Sequence, residues 1–186
     1  METTTEETVP RELAAVQALV NTIDLEDNDD RLDSPEALRR FLADQGLLDP
    51  SEPVGEDDLA MAVELREALR AMLRVNHGEA LDPAALEVVN RAAAGLPLQV
   101  AFDSEGHPVL GPGSAGCRGA LAALLAGVAQ ASAQGTWGRL KACSAESCQW
   151  AFYDRSKNRS GRWCSMQTCG NRTKTRTYRT RRRTGT

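Results

Sequence analysis

Residues 143–172 read CSAESCQWAFYDRSKNRSGRWCSMQTCGNR, with four cysteines spaced as Cys143-x₄-Cys148-x₁₅-Cys164-x₄-Cys169. Two close pairs separated by a medium spacer suit a tetrahedral metal site. Each pair offers two thiolates from one tight turn, and the spacer lets the chain double back. A spacing of four is looser than the common two but within the usual range. The pattern predicts one Zn(II) per chain, held by Cys143, Cys148, Cys164 and Cys169. An iron–sulfur cluster is the rival for four thiolates, yet the ferredoxin spacings are absent. A fully thiolate-filled site also argues against catalysis, since a catalytic zinc keeps one position open.

Around the cysteines the sequence predicts a small ββα-like module. Residues 139–142 and 149–153 read as short strands, with Trp150 and Phe152 on one face and Gln149, Ala151 and Tyr153 on the other. The polar, basic stretch 154–161 reads as a loop, and Trp163 returns the chain to the metal. Ser165 is placed to cap a helix starting near Gln167, with Cys169 in its first turn, where the helix dipole favours a thiolate. Trp150, Phe152 and Trp163 are expected as a mini-core behind the metal; stacking on unpaired bases is the alternative.

Beyond the fourth cysteine, Arg172, Lys174, Arg176, Arg179, Arg181, Arg182 and Arg183 follow without an acid among them. Arg172, Arg176, Arg179 and Arg183 fall at i, i+4, i+7 and i+11, one stripe on a helix suited to tracking phosphates. The candidate DNA contacts are these four with Lys174, joined by Arg155 and Lys157 from the loop. Gly170, Asn171 and Arg172 adjoin the last ligand and are expected to support the site, with Arg172 offsetting thiolate charge. A solvated tail is the rival reading for Arg181 to Arg183.

Charge is split steeply along the chain. Residues 1–136 carry a formal −15 and residues 137–186 carry +11, within a total of −4 over 186 residues. Such asymmetry points to an anionic partner for the basic end. The acidic opening does not resemble a signal peptide, and no apolar run approaches the roughly 20 residues needed to span a bilayer. The expectation is a cytoplasmic protein without a membrane partner, where thiols stay reduced and clustered cysteines favour metal over disulfides.

The acidic part reads as a mainly α domain over residues 1–136. Val9, Leu13, Val16, Val20 and Ile23 form an apolar stripe behind Thr8-Val9-Pro10. Residues 27–33 are an acidic break. Ser34-Pro35-Glu36 opens a second helix with Leu38, Phe41 and Leu42 inward and Gly46 as its C-cap. A third helix spans about 57–76, carrying Leu59, Val63, Leu69 and Leu73. A fourth runs from Asp82-Pro83 to about Ala94, carrying Leu86 and Val89, and Gly95 ends it. The period then changes to two over Leu98, Val100 and Phe102, and with the turn at 103–106 this predicts a short β-hairpin. A fifth helix over about 114–134 buries Cys117, Leu121, Leu124, Leu125 and Val128; Cys117 reads as a buried structural thiol. His77 and His107 read as exposed turn residues, and the acids as spread over the surface. Residues 137–186 form the second unit, tethered near Gly135 to Gly138.

In Cys143 to Arg172, with Trp150-x-Phe152, Asp154-Arg155-Ser156, Arg162-Trp163-Cys164-Ser165-Met166 and the intact Cys-Gly-Asn-Arg, the chain resembles the bacterial CGNR zinc-finger family. Upstream, Val20-Asn21-Thr22, Ser34-Pro35-Glu36-Ala37-Leu38 and Leu65-Arg66-Glu67-Ala68-Leu69-Arg70 resemble the ABATE domain usually paired with this finger, whose members are described as candidate stress-induced transcription regulators. One departure lies at Gln17-Ala18-Leu19, where an Asp-Phe start is usual. The resemblance implies zinc at the four cysteines and DNA binding by the finger.

These features predict a transcription regulator rather than an enzyme. The metal module contacts double-stranded DNA, while the helical domain senses a small-molecule effector, forms a homodimer or restrains the finger. Two rivals stand beside it: an RNA-binding protein using the same basic segment, and a small-molecule-binding protein or enzyme with a purely structural zinc.

Overall fold

A computed structural model describes residues 9–175. The calls on Thr8, Arg176, Arg179 and Arg181 to Arg183 lie outside the described residues. Helix α1 spans Arg11–Val20 and buries Leu13, Val16, Leu19 and Val20. The stripe does not continue to Ile23. The helix ends at Asn21, and Ile23–Asp24 (β1) pairs antiparallel with Asp29–Asp30 (β2), a hairpin whose second strand falls in what reads as an acidic break. Helix α2, Pro35–Asp44, begins as its sequence predicts: Ser34 Oγ accepts from Ala37 N at 3.2 Å, and Pro35 occupies the first turn. Gly46 follows at φ +69°, the left-handed conformation that favours glycine.

Helix α3, Glu56–Asn76, is the central element and buries Leu65, Leu69 and Leu73, but also Arg66 and Arg70. Helix α4, Pro83–Ala94, is capped by Asp82, whose carboxylate accepts from Ala84 N at 2.9 Å. Leu86 is 37% exposed, and Ala92 supplies the helix's buried contact. Strands β3 (Leu98–Phe102) and β4 (Pro108–Pro112) form the expected hairpin, with every residue of β3 exposed. Helix α5, Gly116–Ala133, buries Cys117, Leu121 and Leu124, while Leu125 and Val128 are half-buried. A Cβ on Gly127 would lie 2.3 Å from the carbonyl oxygen of Glu12, so glycine lets α5 approach the start of α1 closely.

Strands β5 (Leu140–Ala142) and β6 (Ala151–Tyr153) pair antiparallel, Leu140 opposite Tyr153 and Ala142 opposite Ala151. The second strand begins at Ala151 rather than Gln149, because Gln149 turns the chain at φ +48°. The predicted facing holds. Ala151 and Tyr153 are buried with Leu140 and Ala142, in one continuous core with Leu13, Leu69 and Leu73 of the helices. The hairpin does not hang from a tether near Gly135 to Gly138; it is built into the helical core. Phe152 and Trp150, on its other side, are half-buried.

Candidate metal centre

The β5–β6 ladder extends one step to the first cysteine, where Cys143 N donates to Trp150 O at 2.9 Å. The chain then turns tightly, with Cys148 N and Gln149 N both donating to Ala145 O at 2.9 and 3.1 Å. The loop after β6 is organised by a buried carboxylate. Asp154 accepts from Lys141 Nζ at 2.7 Å, Ser156 N at 2.9 Å and Gly161 N at 2.8 Å. Burial alone would raise that carboxyl, but the hydrogen bonds from Lys141, Ser156 and Gly161 hold it well below the usual carboxylate range. Gly161 is required here, since a Cβ would fall 2.7 Å from Asp154 Oδ1. The loop closes back on the first turn through Ser144 N to Arg162 O at 2.9 Å, bringing Trp163-Cys164 alongside.

Ser165 caps the last element, accepting from Thr168 N at 3.2 Å. The helix starts at Met166, one residue ahead of expectation, as a wide five-residue turn over Met166–Gly170 that continues as α-helix over residues 171–175. Cys169 and Gly170 are buried in that first turn.

All four sulfurs lie within 4.8 Å of one another, with Cys148 to Cys164 at 3.6 Å and Cys164 to Cys169 at 3.8 Å. A tetrahedron with metal–sulfur bonds of about 2.3 Å has edges of about 3.8 Å, so the donor set fits one zinc ion. The second layer fits too. Cys143 is pulled down to about 5, first by the hydrogen bond from Cys148 and then by the backbone N–H groups of Ala145 and Cys164. Burial pushes Cys164 up to about 12, so a cation is what would hold all four thiolates ionised together. Cys117, the fifth cysteine, is buried on α5 and also pushed up to about 12 by burial, as a structural thiol should be.

Arg172 donates from Nη2 to Cys169 Sγ at 3.7 Å, in the charge-offsetting position expected of it. Its Nη1 makes a close ion pair with Glu26 Oε1, from the β1–β2 turn. Gly170 and Asn171 act through the backbone: Gly170 N donates to Ser165 O at 3.1 Å, and Asn171 N–H caps the wide turn. Arg155, Lys157 and Lys174 are exposed, and Arg162 lies over the Trp163 ring at 5.7 Å from its centroid.

A polar network between the helices and the metal module is absent from the sequence reading. Asn21 Nδ2 donates to Ala151 O at 2.9 Å, Asn21 Oδ1 accepts from Ala151 N at 2.7 Å, and Gln17 Nε2 reaches the same carbonyl at 3.1 Å. Arg70 donates to Val20 O at 2.7 Å and Gln149 O at 3.0 Å. Arg66 binds both carboxylate oxygens of Asp30, at 2.7 and 2.8 Å, and also Thr22 and Glu67. Asp30 is therefore not one of the surface-spread acids of the helical part. His77 is not a free turn residue either: it caps α3 and its Nε2 lies 2.6 Å from Ser144 Oγ. The available signal was Val20-Asn21-Thr22 and the arginines spaced i, i+4 among leucines in 65–70.

A helical body joined to a tetrathiolate turn and a basic helix defines a two-part zinc-finger protein. Residues 13–135 match the family model ABATE, described as "Putative stress-induced transcription regulator", and residues 139–182 match the CGNR zinc finger. The chain belongs to the ABATE family and carries a CGNR zinc finger whose four cysteines are positioned to coordinate one metal ion, consistent with zinc. No curated protein matches the sequence. Among the described residues, no helix is long and apolar enough to cross a membrane.

Proposed function

We propose that this protein is a DNA-binding transcription regulator of the cytoplasm and not an enzyme, in which the metal-held basic helix contacts duplex DNA and the acidic helical body restrains it. The observation that carries this reading is Arg172. It is fixed on a zinc ligand at the head of the basic run, and its other nitrogen is occupied by Glu26 from an acidic loop 146 positions away. A carboxylate seated on a guanidinium occupies the place that a phosphate oxygen would take. The pair is exposed on both sides, at 39% and 47%, so it is a weak, salt-sensitive restraint that DNA or an effector can displace. For such an effector we take the open cleft of about 510 Å³ between α1, β4 and α5, reached by Arg11, Gln45 and Gln130.

Against base stacking, Trp150, Phe152 and Trp163 are half-buried, and Arg162 covers the Trp163 ring. The test is fluorescence anisotropy of a labelled duplex with the zinc-loaded chain across a salt series. If Arg172, Lys174, Arg176 and Arg179 neutralise four phosphates, log affinity falls against log salt with a slope of roughly −3.6. A flat salt dependence, or a preference for single-stranded RNA, overturns the reading.

A further inference from the structure

Arg159 lies in the left-handed region at φ +51°, which residues other than glycine rarely adopt. That conformation sets its carbonyl oxygen 2.5 Å from Lys141 Nζ, beside the 2.7 Å bond from the same nitrogen to Asp154. The backbone from Arg159 to Arg162 is thereby wrapped around a buried ammonium. A recess of about 300 Å³ opens there, lined by His77, Lys141, Arg159, Ser160, Gly161 and Arg162. Among the described residues no acid and no large apolar side chain lines it. Its walls come from both parts of the protein, His77 from the end of α3 and the rest from the metal module.

Donors are in surplus in this recess. Lys141 commits two of its three N–H groups, to Asp154 and to Arg159 O. Arg159 and Arg162 are exposed, and among the described residues neither guanidinium meets a carboxylate; Arg162 rests on the Trp163 ring. Ser160 uses its backbone N–H, on Ser156 Oγ, and keeps its hydroxyl. His77 Nε2 is engaged by Ser144 Oγ, while Nδ1 is buried without a partner, and buried polar atoms are ordinarily paired. Charge agrees with this. Lys141, Arg159 and Arg162 outnumber the one carboxylate that touches them, Asp154. Burial, then Lys141 and Arg162, hold His77 below its ordinary 6.5, as a local excess of positive charge does. Glu79, which also acts on His77, is paired with Arg74 at 2.6 Å. Four thiolates around one dication leave the neighbouring metal centre anionic. That charge is answered at the sulfurs by Arg172 and by the N–H groups of Ala145 and Cys164.

We propose that this recess binds a phosphate group, whose oxygens take the open N–H of Lys141, the guanidinium groups of Arg159 and Arg162, and the Ser160 hydroxyl. A wall made of donors suits a ligand that only accepts, and a tetrahedral oxyanion can meet donors arriving from four residues at once. A metal cation would find no acceptor side chain here. The volume is at the small end of ligand cavities, enough for a phosphate and part of what carries it. Two carriers present the same group: the backbone of duplex DNA and a small phosphorylated compound. No residue of the basic helix lines the recess, so the site stands apart from the contact proposed above for Arg172.

The test is isothermal titration calorimetry of the full-length, zinc-loaded chain with inorganic phosphate, at constant ionic strength and two temperatures. One site with a Kd of about 0.1–1 mM is expected. Arg159→Gln and Arg162→Gln should each weaken it at least fivefold, with zinc content and circular dichroism unchanged. Arg118→Gln, which removes an exposed cation of α5, should bind phosphate as the parent does. The proposal is overturned by an absence of binding heat up to about 20 mM phosphate, by a site that neither recess substitution weakens, or by an equal loss in Arg118→Gln. Duplex anisotropy of Arg159→Gln against the parent then identifies the carrier. A DNA phosphate is the carrier if the substitution weakens duplex binding, flattens its salt slope by about one unit, and phosphate competes with duplex. A small compound is the carrier if duplex affinity stays unchanged. A chain that takes up phosphate but ignores duplex DNA keeps this site and loses the regulator reading, so the two fail separately.

Discussion

Asn21 closes the outer edge of β6 by exchanging two hydrogen bonds with the backbone of Ala151, at 2.7 and 2.9 Å. A side-chain amide thus does what a neighbouring strand would do, and it does so across 130 positions, from the last turn of α1 to the metal module. Both groups are buried, so neither Ala151 N nor Ala151 O can turn to water instead.

Asn21→Ala should therefore cost about 2–4 kcal/mol, since it strands a buried donor and leaves the acceptor with only Gln17. Urea denaturation of the zinc-loaded chain measures this. Because helices and hairpin share one core, the whole transition should shift as a unit; a separate early transition confined to the metal module would contradict the shared core.

Zinc removal should have a divided effect. The sequence alone suggests that all of residues 137–186 unfold without metal. The structure instead roots β5 and β6 in the core through Leu140, Ala142, Ala151 and Tyr153. In Cys164→Ala, hydrogen exchange should rise steeply over residues 143–149 and 161–175, while the amides of the β5–β6 ladder stay protected. Metal analysis should fall from one zinc per chain to a small fraction.

Glu26→Gln releases Arg172 without altering the metal ligands. Duplex affinity should rise roughly two- to fivefold at low salt and converge with the parent chain at high salt. Arg172→Ala should instead weaken binding and flatten the salt slope by about one unit. Equal affinities of parent and Glu26→Gln at low salt would remove the restraint from the proposed function.

The Asp30–Arg66 pair makes stability pH-dependent. Burial raises the Asp30 carboxyl, but the hydrogen bonds from Arg66 and Leu32 N outweigh it and hold it below its ordinary 3.8. A depressed acid stabilises the fold above its unfolded value, and the contribution is lost as pH falls below about 4. Asp30→Asn leaves Arg66, 2% exposed, without its bidentate partner. Breaking a buried pair costs about 3–5 kcal/mol; because the Asp30 side chain is 33% exposed, about 1–3 kcal/mol is expected near neutrality. The gap between parent and variant in urea midpoint should narrow from pH 5 to pH 3, with zinc loss common to both.

By itself the sequence determined what short-range chemistry controls. Ser34-Pro35 and Asp82-Pro83 start helices because a capping oxygen and a fixed φ act within one turn. The period-two run at 98–102 makes a hairpin, and the cysteine spacing makes a tetrathiolate site, for equally local reasons. Tertiary structure alone decided where charged and polar side chains belong. Arg66 and Arg70 occupy core-facing positions that periodicity assigns to apolar residues. They are tolerable there only because Asp30, Val20 O and Gln149 O converge on them from segments 36 to 79 positions away. Leu86 is exposed on its helix, while Ala92 makes the contact with the core. The Glu26–Arg172 pair leaves no trace in local pattern, and Val20-Asn21-Thr22 marks Asn21 without saying that it reaches Ala151. Hydrogen bonds and ion pairs between distant segments depend on how the elements pack, and that is settled by the whole core rather than by any one stretch of it.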